Sequence, residues 1–395
     1  MVNQISTIDG ILYDLPNLIF CVVAALMLSK WSGVKRHNFA YIVFLCFVPF
    51  CLNDVLFSAH YLPDQFKYWN NVKLIREFNF EAIRAKRDIV EYASWMLSLI
   101  PLPYVETVRS LGFFNKFLYL VMFYALCKKN VFTENSYKFF LFYPSLILYT
   151  SLSLRDTLVL LFMALGLYYV VNGRIVKGSL FTLPLYLIKI QNFYIQVIFI
   201  SIYYFMNVYK QGISKRNSLF IFGAIYGLLI LVFPIAIPII NENRASMFVE
   251  DGGKVADVVL IGGLGDFLRE GLTSGLYFLV KPLPWEASNA LQLVQSVENV
   301  FVLAFIVYVI NQCAKYDLNR ALFWVLYLFT SCSIYGLVVF NYGSAARYRF
   351  PFVAIFITFI LFDTYRNKHS KRVANQGSHQ LENADTLKPL RDKRI

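Results

Sequence analysis

The stretch 178-GSLFTLPLYLIKIQNFYIQVIFISIYYFMNV-208 is apolar over about 31 residues and is interrupted by one polar cluster, Lys189, Gln191 and Asn192. A helix of about 20 residues crosses the hydrocarbon core of a bilayer, so the stretch is too long for one span. A helix break inside a membrane is tolerated where the broken backbone lines a cavity. The stretch therefore predicts two short membrane helices that meet at the polar cluster.

The rest of the chain also has the composition of a membrane protein. Of its 395 residues, 58% are hydrophobic and 15% are charged, and the mean hydropathy is +0.55. Soluble domains average about 45–50% apolar and about 25% charged residues. We predict an all-α, polytopic membrane protein with about eleven transmembrane helices. Besides the two helices of 178–208, the predicted spans are 11–30, 39–58, 111–127, 139–150, 154–172, 217–240, 296–313, 321–340 and 349–365.

The charged residues divide unequally between the two sides that these spans define. One side carries 21 Lys and Arg against 6 Asp and Glu, and the other carries 16 against 18. Cytoplasmic loops are enriched in Lys and Arg, so we expect the first side to be cytoplasmic, with the N-terminus outside and the C-terminus inside. This asymmetry explains the net charge of +13. We therefore expect the lipid bilayer as a partner, and no nucleic acid.

A single transmembrane domain is predicted over residues 1–366. Two large loops, about 59–110 and about 241–295, are expected on the outer, periplasmic side, and the first contains a predicted amphipathic surface helix at 71–97. The polar tail 367–395 is predicted to be cytoplasmic and disordered. The six cysteines and four histidines are scattered. We therefore expect no disulfide framework, no metal site and no cofactor.

Charged residues at outer helix ends are the first candidates for function, because ionisable groups at membrane depth are costly and usually functional or paired. Arg155 could bind phosphate oxygens, or could form a local pair with Asp156 that caps the next helix. Lys189 could bind a ligand at the predicted helix break, or could extend to the outer headgroups. Both residues follow apolar segments that end on the predicted outer side.

The segment 341-NYGSAARYRFP-351 holds two more cations. Pro351 disfavours helix at the residue before it, so the segment is predicted to be extended. In an extended chain Arg347 and Arg349 point to the same side and could form a diphosphate clamp. The alternative is a pair of interfacial anchors, which the positive-inside rule makes less natural on this side.

Outer carboxylates complete the candidate site. Asp64 follows the second span and is a candidate general base, although a solvated loop carboxylate is the plainer interpretation. Glu286 lies in 281-KPLPWEASNALQLVQSVENV-300 and is a second candidate. The predicted catalytic residues are Arg155, Arg347, Arg349, Asp64 and Glu286. The predicted substrate-binding residues are Asp156, Lys189, Gln191, Asn192, Trp285, Tyr68 and Tyr348.

Four motifs follow one another along the chain: PS…SLSLRD (144–156), LIKIQN (187–192), KPLPWE…N…LVQSVEN (281–299) and NYGSAARYRFP (341–351). In this order they resemble those of the bacterial polysaccharide repeat-unit polymerases, the Wzy-type O-antigen and capsule polymerases with the related EpsG-like exopolysaccharide proteins. The resemblance covers about 60–351, most of the chain. The sequence departs from the family at Lys189, where an arginine is expected.

The resemblance implies a metal-independent glycosyltransferase at the periplasmic face of a bacterial inner membrane. Such an enzyme transfers a growing glycan en bloc from undecaprenyl diphosphate to a lipid-linked repeat unit, and it can act with a chain-length regulator. Three other functions fit the same sequence. They are an O-antigen ligase, a polyprenyl-linked sugar glycosyltransferase that adds single sugars, and a lipid-linked glycan flippase or transporter.

Overall fold

The computed structural model describes residues 7–34, 36–81, 83, 90–208, 215–250 and 253–386. Over these ranges the regular elements are helices, with one isolated bridge between Asn53 and Phe57. The first helices are α1 (Thr7–Ser32), α2 (Arg36–Cys46), α3 (Val48–Leu52), α4 (Asp64–Arg76), α5 (Glu91–Ser98), α6 (Val108–Lys128), α7 (Glu134–Phe142), α8 (Pro144–Tyr149) and α9 (Asp156–Val171). The others are α10 (Ile175–Thr182), α11 (Pro184–Ile188), α12 (Ile190–Val208), α13 (Lys215–Glu250), α14 (Leu264–Val280), α15 (Ala290–Ala314), α16 (Leu318–Gly336) and α17 (Tyr342–Thr386).

Several of these helices are long and apolar enough to cross a membrane, as is expected of a helical membrane protein. By length and composition, four candidate spans are found among the described residues: Gly10–Ser32, Val108–Lys128, Ala290–Ala314 and Tyr342–Asn367. Three further apolar helices are shorter: Asp156–Val171, Ile175–Ile188 and Ile190–Met206. The count of eleven spans and the orientation stay predictions.

The predicted break in 178–208 is present. Helix α11 ends at Ile188 and α12 begins at Ile190, and Lys189 between them has φ −156° and ψ 89°. The Lys189 side chain is only 7% exposed. The break therefore directs a lysine into the bundle at the level where the two half-helices meet.

The segment before Pro351 is helical, so the prediction of an extended chain is wrong. Helix α17 begins at Tyr342 and contains Pro351 in its interior. The side chain of Asn341 accepts hydrogen bonds from the backbone amides of Gly343 at 2.7 Å and Ser344 at 3.2 Å, and this cap stabilises the helix start. Successive helical residues are rotated by about 100°, so residues 347 and 349 point to nearly opposite sides.

Two other segments have helices whose bounds differ from the predicted ones. The surface helix expected at 71–97 is two helices, α4 and α5, and residues 82 and 84–89 lie outside the described part of the chain. Helix α17 continues through Thr386, and the disorder of the tail 367–395 stays a prediction. The Lys, Arg, Gln, Glu and Ala residues there have high helix propensity. Residues 387–395 lie outside the described residues.

The core of the bundle is built around the membrane segment of α17. This segment is 89% buried, and it packs against α8, α9, α15 and α16. Beside it, α14 and α16 approach closely, because Gly275 lies against Ser333 and Gly336 lies against the carbonyl of Ser274. A side chain at either glycine would push the two helices apart. Because α17 runs through the centre of the bundle, its first turns, which include Arg347, lie at one end of the bundle.

Candidate functional site

Two helix starts and one arginine form the centre of the site. Asp156 is the first residue of α9 and Asp64 is the first residue of α4, positions where a carboxylate is favoured by the helix dipole. Arg347 donates from Nε to Oδ2 of Asp156 at 2.6 Å and from Nη1 to Oδ2 of Asp64 at 3.0 Å. Arg347 and Asp156 are buried, and the Asp64 side chain is 34% exposed. One guanidinium thus joins a buried carboxylate to an accessible one.

Lys189 lies on the other side of Asp156. Its Nζ is 3.8 Å from Oδ1 of Asp156 and 3.4 Å from the ring centroid of Tyr348. The ring of Tyr335 is 5.2 Å away. Aromatic faces attract cations, and this attraction strengthens where water is excluded. The lysine charge is therefore compensated by one carboxylate and two tyrosine rings.

Arg155 reaches the same site through the helix break. Its Nη1 donates to the carbonyl of Ile188 at 2.7 Å, which is the last residue of α11. Its Nε is buried and has no hydrogen-bond partner in the described structure. A buried donor without a partner costs about 1–3 kcal/mol, and such a group is a candidate contact for a ligand.

Tyr68 and Asn192 adjoin these charges. Tyr68 is buried, and burial raises the pKa of its phenol, while the nearby charges of Arg155 and Arg347 act in the opposite direction. Asn192 accepts a hydrogen bond from the hydroxyl of Tyr335. Sequence reasoning missed Tyr335, because one tyrosine within an apolar span resembles the other 26 in the chain. Only its position beside Lys189 distinguishes it.

The site carries more positive than negative charge. Arg155, Lys189 and Arg347 face two carboxylates, Asp64 and Asp156. Burial acts to raise the pKa of Asp64, but the Arg347 guanidinium, aided by Lys67, outweighs burial and holds this pKa below its ordinary value. Asp64 is therefore ionised at neutral pH. Lys67 lies 3.4 Å from Asp64, so the cations outnumber the carboxylates and the arrangement is suited to an anionic ligand.

Arg349 does not join this site. Its Nη1 donates to the carbonyls of Phe278 at 2.7 Å, Leu279 at 2.9 Å and Lys281 at 3.1 Å, and its Nη2 donates to the side chain of Asn299. Carbonyls at the end of a helix lack intrahelical partners, and a guanidinium can satisfy several of them. Arg349 thus holds the end of α14 against α15. The predicted convergence of Arg347 and Arg349 on one diphosphate is wrong.

Three other predicted site residues also lie apart from the cluster. Glu286 accepts hydrogen bonds from the amide of Leu283 at 2.8 Å and from the hydroxyl of Tyr277 at 2.9 Å, so it stabilises a local turn. Trp285 is 78% exposed, and Gln191 is exposed on α12. In the described ranges no three His, Cys, Asp or Glu side chains come together as metal ligands would.

Comparison of the chain with protein-family models found no matching model, and comparisons with curated proteins and with solved structures found no similar protein. The function is therefore argued from the cluster of Asp64, Tyr68, Arg155, Asp156, Lys189, Asn192, Tyr335, Arg347 and Tyr348, hereafter the Arg347 site.

Proposed function

We propose that the protein polymerises lipid-linked oligosaccharide repeat units in the synthesis of a bacterial surface polysaccharide. It would transfer glycan en bloc from undecaprenyl diphosphate to a lipid-linked repeat unit at the periplasmic face of the inner membrane. One observation carries the proposal: Arg155, Lys189 and Arg347, from distant parts of the chain, converge at one end of a membrane bundle with two carboxylates. The motif resemblance supplies the reaction and the substrate class.

The chemistry of this transfer requires cations at the leaving group. The acceptor hydroxyl oxygen attacks the anomeric carbon of the donor sugar, and the bond from that carbon to the diphosphate oxygen breaks. The electron pair of that bond stays on the diphosphate, which leaves with the lipid. Preorganised donors that face this developing charge lower the barrier. Arg155 and Arg347 are the guanidiniums placed to supply such donors, and Lys189 adds a third positive charge.

Asp64 is the carboxylate placed to receive the proton of the acceptor hydroxyl. While it is paired with Arg347, its pKa is lowered and it is a weak base. In the proposed mechanism the diphosphate displaces Asp64 from Nη1 of Arg347. The freed carboxylate then has a higher pKa and can accept the proton. Binding of the donor thereby prepares the base, while Asp156 keeps Arg347 in place.

The test is reconstitution of the purified protein in liposomes with a synthetic undecaprenyl-diphosphate repeat unit. We expect a ladder of lipid-linked oligomers with release of undecaprenyl diphosphate, and faster growth or a narrower length range when a chain-length regulator is added. Product formed only with lipid A as acceptor would indicate a ligase. Single-sugar addition from a polyprenyl-phosphate sugar, or movement of the lipid across the bilayer without a new bond, would also overturn the proposal.

A further inference from the structure

A second charged region lies towards the other end of α17, from Asp363 to Asn367. Arg366 follows Arg347 by about 19 residues, which is roughly 28 Å at a rise of about 1.5 Å per residue. The hydrocarbon core of a bilayer is about 30 Å thick. The second region therefore lies one bilayer thickness from the Arg347 site, at the level of the opposite headgroup layer.

Asp363 is the centre of this second region. Tyr203 donates to its Oδ1 at 2.8 Å and Trp324 donates to its Oδ2 at 3.2 Å, and Arg320 also donates to Oδ1. The carboxylate is only 3% exposed. Because a buried charge is tolerated where it is paired and hydrogen-bonded, these contacts hold the four side chains in a fixed arrangement. Three of them, Tyr203, Arg320 and Asp363, line one wall of a pocket.

The pocket has a volume of about 440 Å³ and a positive edge. Arg366 lines it, is exposed, and donates to the carbonyl of Val171 at the end of α9. Arg174 follows directly after a lining residue and is exposed. Tyr204, another lining residue, is 41% exposed, as is common for tyrosines at a membrane interface. The pocket therefore combines cations with an aromatic edge at headgroup depth.

We propose that this pocket binds the phosphate group of an anionic phospholipid in the leaflet opposite the Arg347 site. Arg320 pairs with both Asp363 and Asp317, and Asn367 at the pocket also donates to Asp317. Among the described residues, Arg174, Arg320 and Arg366 still outnumber these two carboxylates, so the edge is attractive to an anion. Basic pockets between membrane helices at headgroup level bind anionic lipid heads. A soluble phosphate ester shares this chemistry. The site does not depend on the proposed transferase reaction.

The experiment measures lipid binding by native mass spectrometry of the full chain in detergent. The probes are phosphatidylglycerol, phosphatidylcholine and free glycerol phosphate. We expect phosphatidylglycerol to bind, the other two probes to bind far more weakly, and the variant Arg174→Gln/Arg366→Gln to lose on the order of tenfold in affinity. The matched control, Lys128→Gln/Lys129→Gln, removes the same charge from exposed residues at the end of α6 and should bind as the wild type does.

An equal loss of affinity for phosphatidylglycerol in both double variants, or no loss of affinity in either, would overturn the proposal. Equal binding of glycerol phosphate and phosphatidylglycerol would assign the pocket to a soluble ester and would overturn the lipid assignment. Because Arg366 also contacts Val171, the double variant could be less stable. The single variant Arg174→Gln changes an exposed side chain, and it should still lower the affinity measurably.

Discussion

Arg347 and Asp156 lie 191 positions apart in the chain, and Nε of Arg347 is 2.6 Å from Oδ2 of Asp156. Both side chains are nearly inaccessible, at 5% and 2% exposure. A buried ion pair that loses one partner leaves an uncompensated charge, whereas loss of both partners removes that penalty. The pair therefore has a structural role as well as the proposed catalytic one, and the two can be separated by experiment.

Removal of Arg347 alone should unfold the site. We expect Arg347→Ala to lower the free energy of unfolding by about 3–5 kcal/mol and to abolish glycan growth. The variant Arg347→Lys keeps a positive charge beside Asp156, so it should retain more of the stability, but a compact ammonium cannot replace the planar guanidinium and the activity should still be lost. Thermal unfolding in detergent and the glycan ladder on a gel measure the two effects. An Arg347→Lys variant with wild-type ladders would show that Arg347 serves stability only.

Loss of Arg155 should affect the polymerisation rate much more than it affects stability. Its guanidinium donates to the carbonyl of Ile188, and it has no carboxylate within ion-pair distance in the described structure. We expect Arg155→Ala to lower the rate of polymerisation by about 10²–10³ with little change in unfolding temperature, because its donors act on the leaving group. Arg269→Ala, which removes an exposed arginine outside the site, is the control. Equal rates for the two variants would exclude Arg155 from the reaction.

Arg349 should be needed for folding rather than for transfer. Four hydrogen bonds to backbone and amide oxygens hold α14 against α15, and their loss leaves buried acceptors unsatisfied. We expect Arg349→Ala to reduce the amount of folded protein in the membrane, and to reduce polymerisation only in proportion. The measurement is activity normalised to an immunoblot of extracted, monodisperse protein. A normal level of folded protein with no activity would show that Arg349 takes part in the transfer reaction.

The ionised side chain of Asp64 should make the stability of the fold depend on pH in the acid range. Its pKa in the folded protein lies below the ordinary value of 3.8, so its ionised form contributes stability that is present above about pH 4. This contribution is lost as the pH falls through the folded pKa. We expect Asp64→Asn to unfold at a lower temperature than the wild type at pH 7, with a difference that shrinks below pH 4.

The control for this pH dependence is Asp266→Asn, which removes an exposed carboxylate whose partner Arg269 is also exposed. Exposed ion pairs contribute little, so its unfolding temperature should follow the wild type at every pH. A constant difference between Asp64→Asn and the wild type down to pH 3 would show that the ion pair with Arg347 is not its source.

The orientation predicted from the charge asymmetry can be tested by cysteine labelling. In a Cys51→Ser background, which removes the exposed native cysteine, Glu77→Cys should react with an impermeant thiol reagent from the periplasm. Lys129→Cys should react only after the membrane is opened, because it lies on the more basic side. Labelling of both positions from the same side would contradict the predicted topology.

The sequence predicted the parts of this site whose signals are local. The polar interruption of an apolar run was enough to place the helix break at Lys189, because no single span could accommodate the whole stretch. Charged residues beside apolar helices pointed to Arg155, Asp156 and Arg347 for a similar reason, since charge at membrane depth needs a partner. Asp64 was identified as a candidate base, but its ionic partner was not.

The tertiary structure alone decided which of these charges meet. Arg347 and Arg349 are two residues apart, yet they point to opposite sides because the Asn341 cap and the central packing of α17 favour helix ahead of Pro351. Glu286 has the residue type of a catalytic acid but stabilises a turn. By itself the sequence determined a helical membrane protein with charge at its helix ends, through hydrophobicity and periodicity. Contacts across 191 and 283 positions depend on how the helices pack, and no local pattern encodes them.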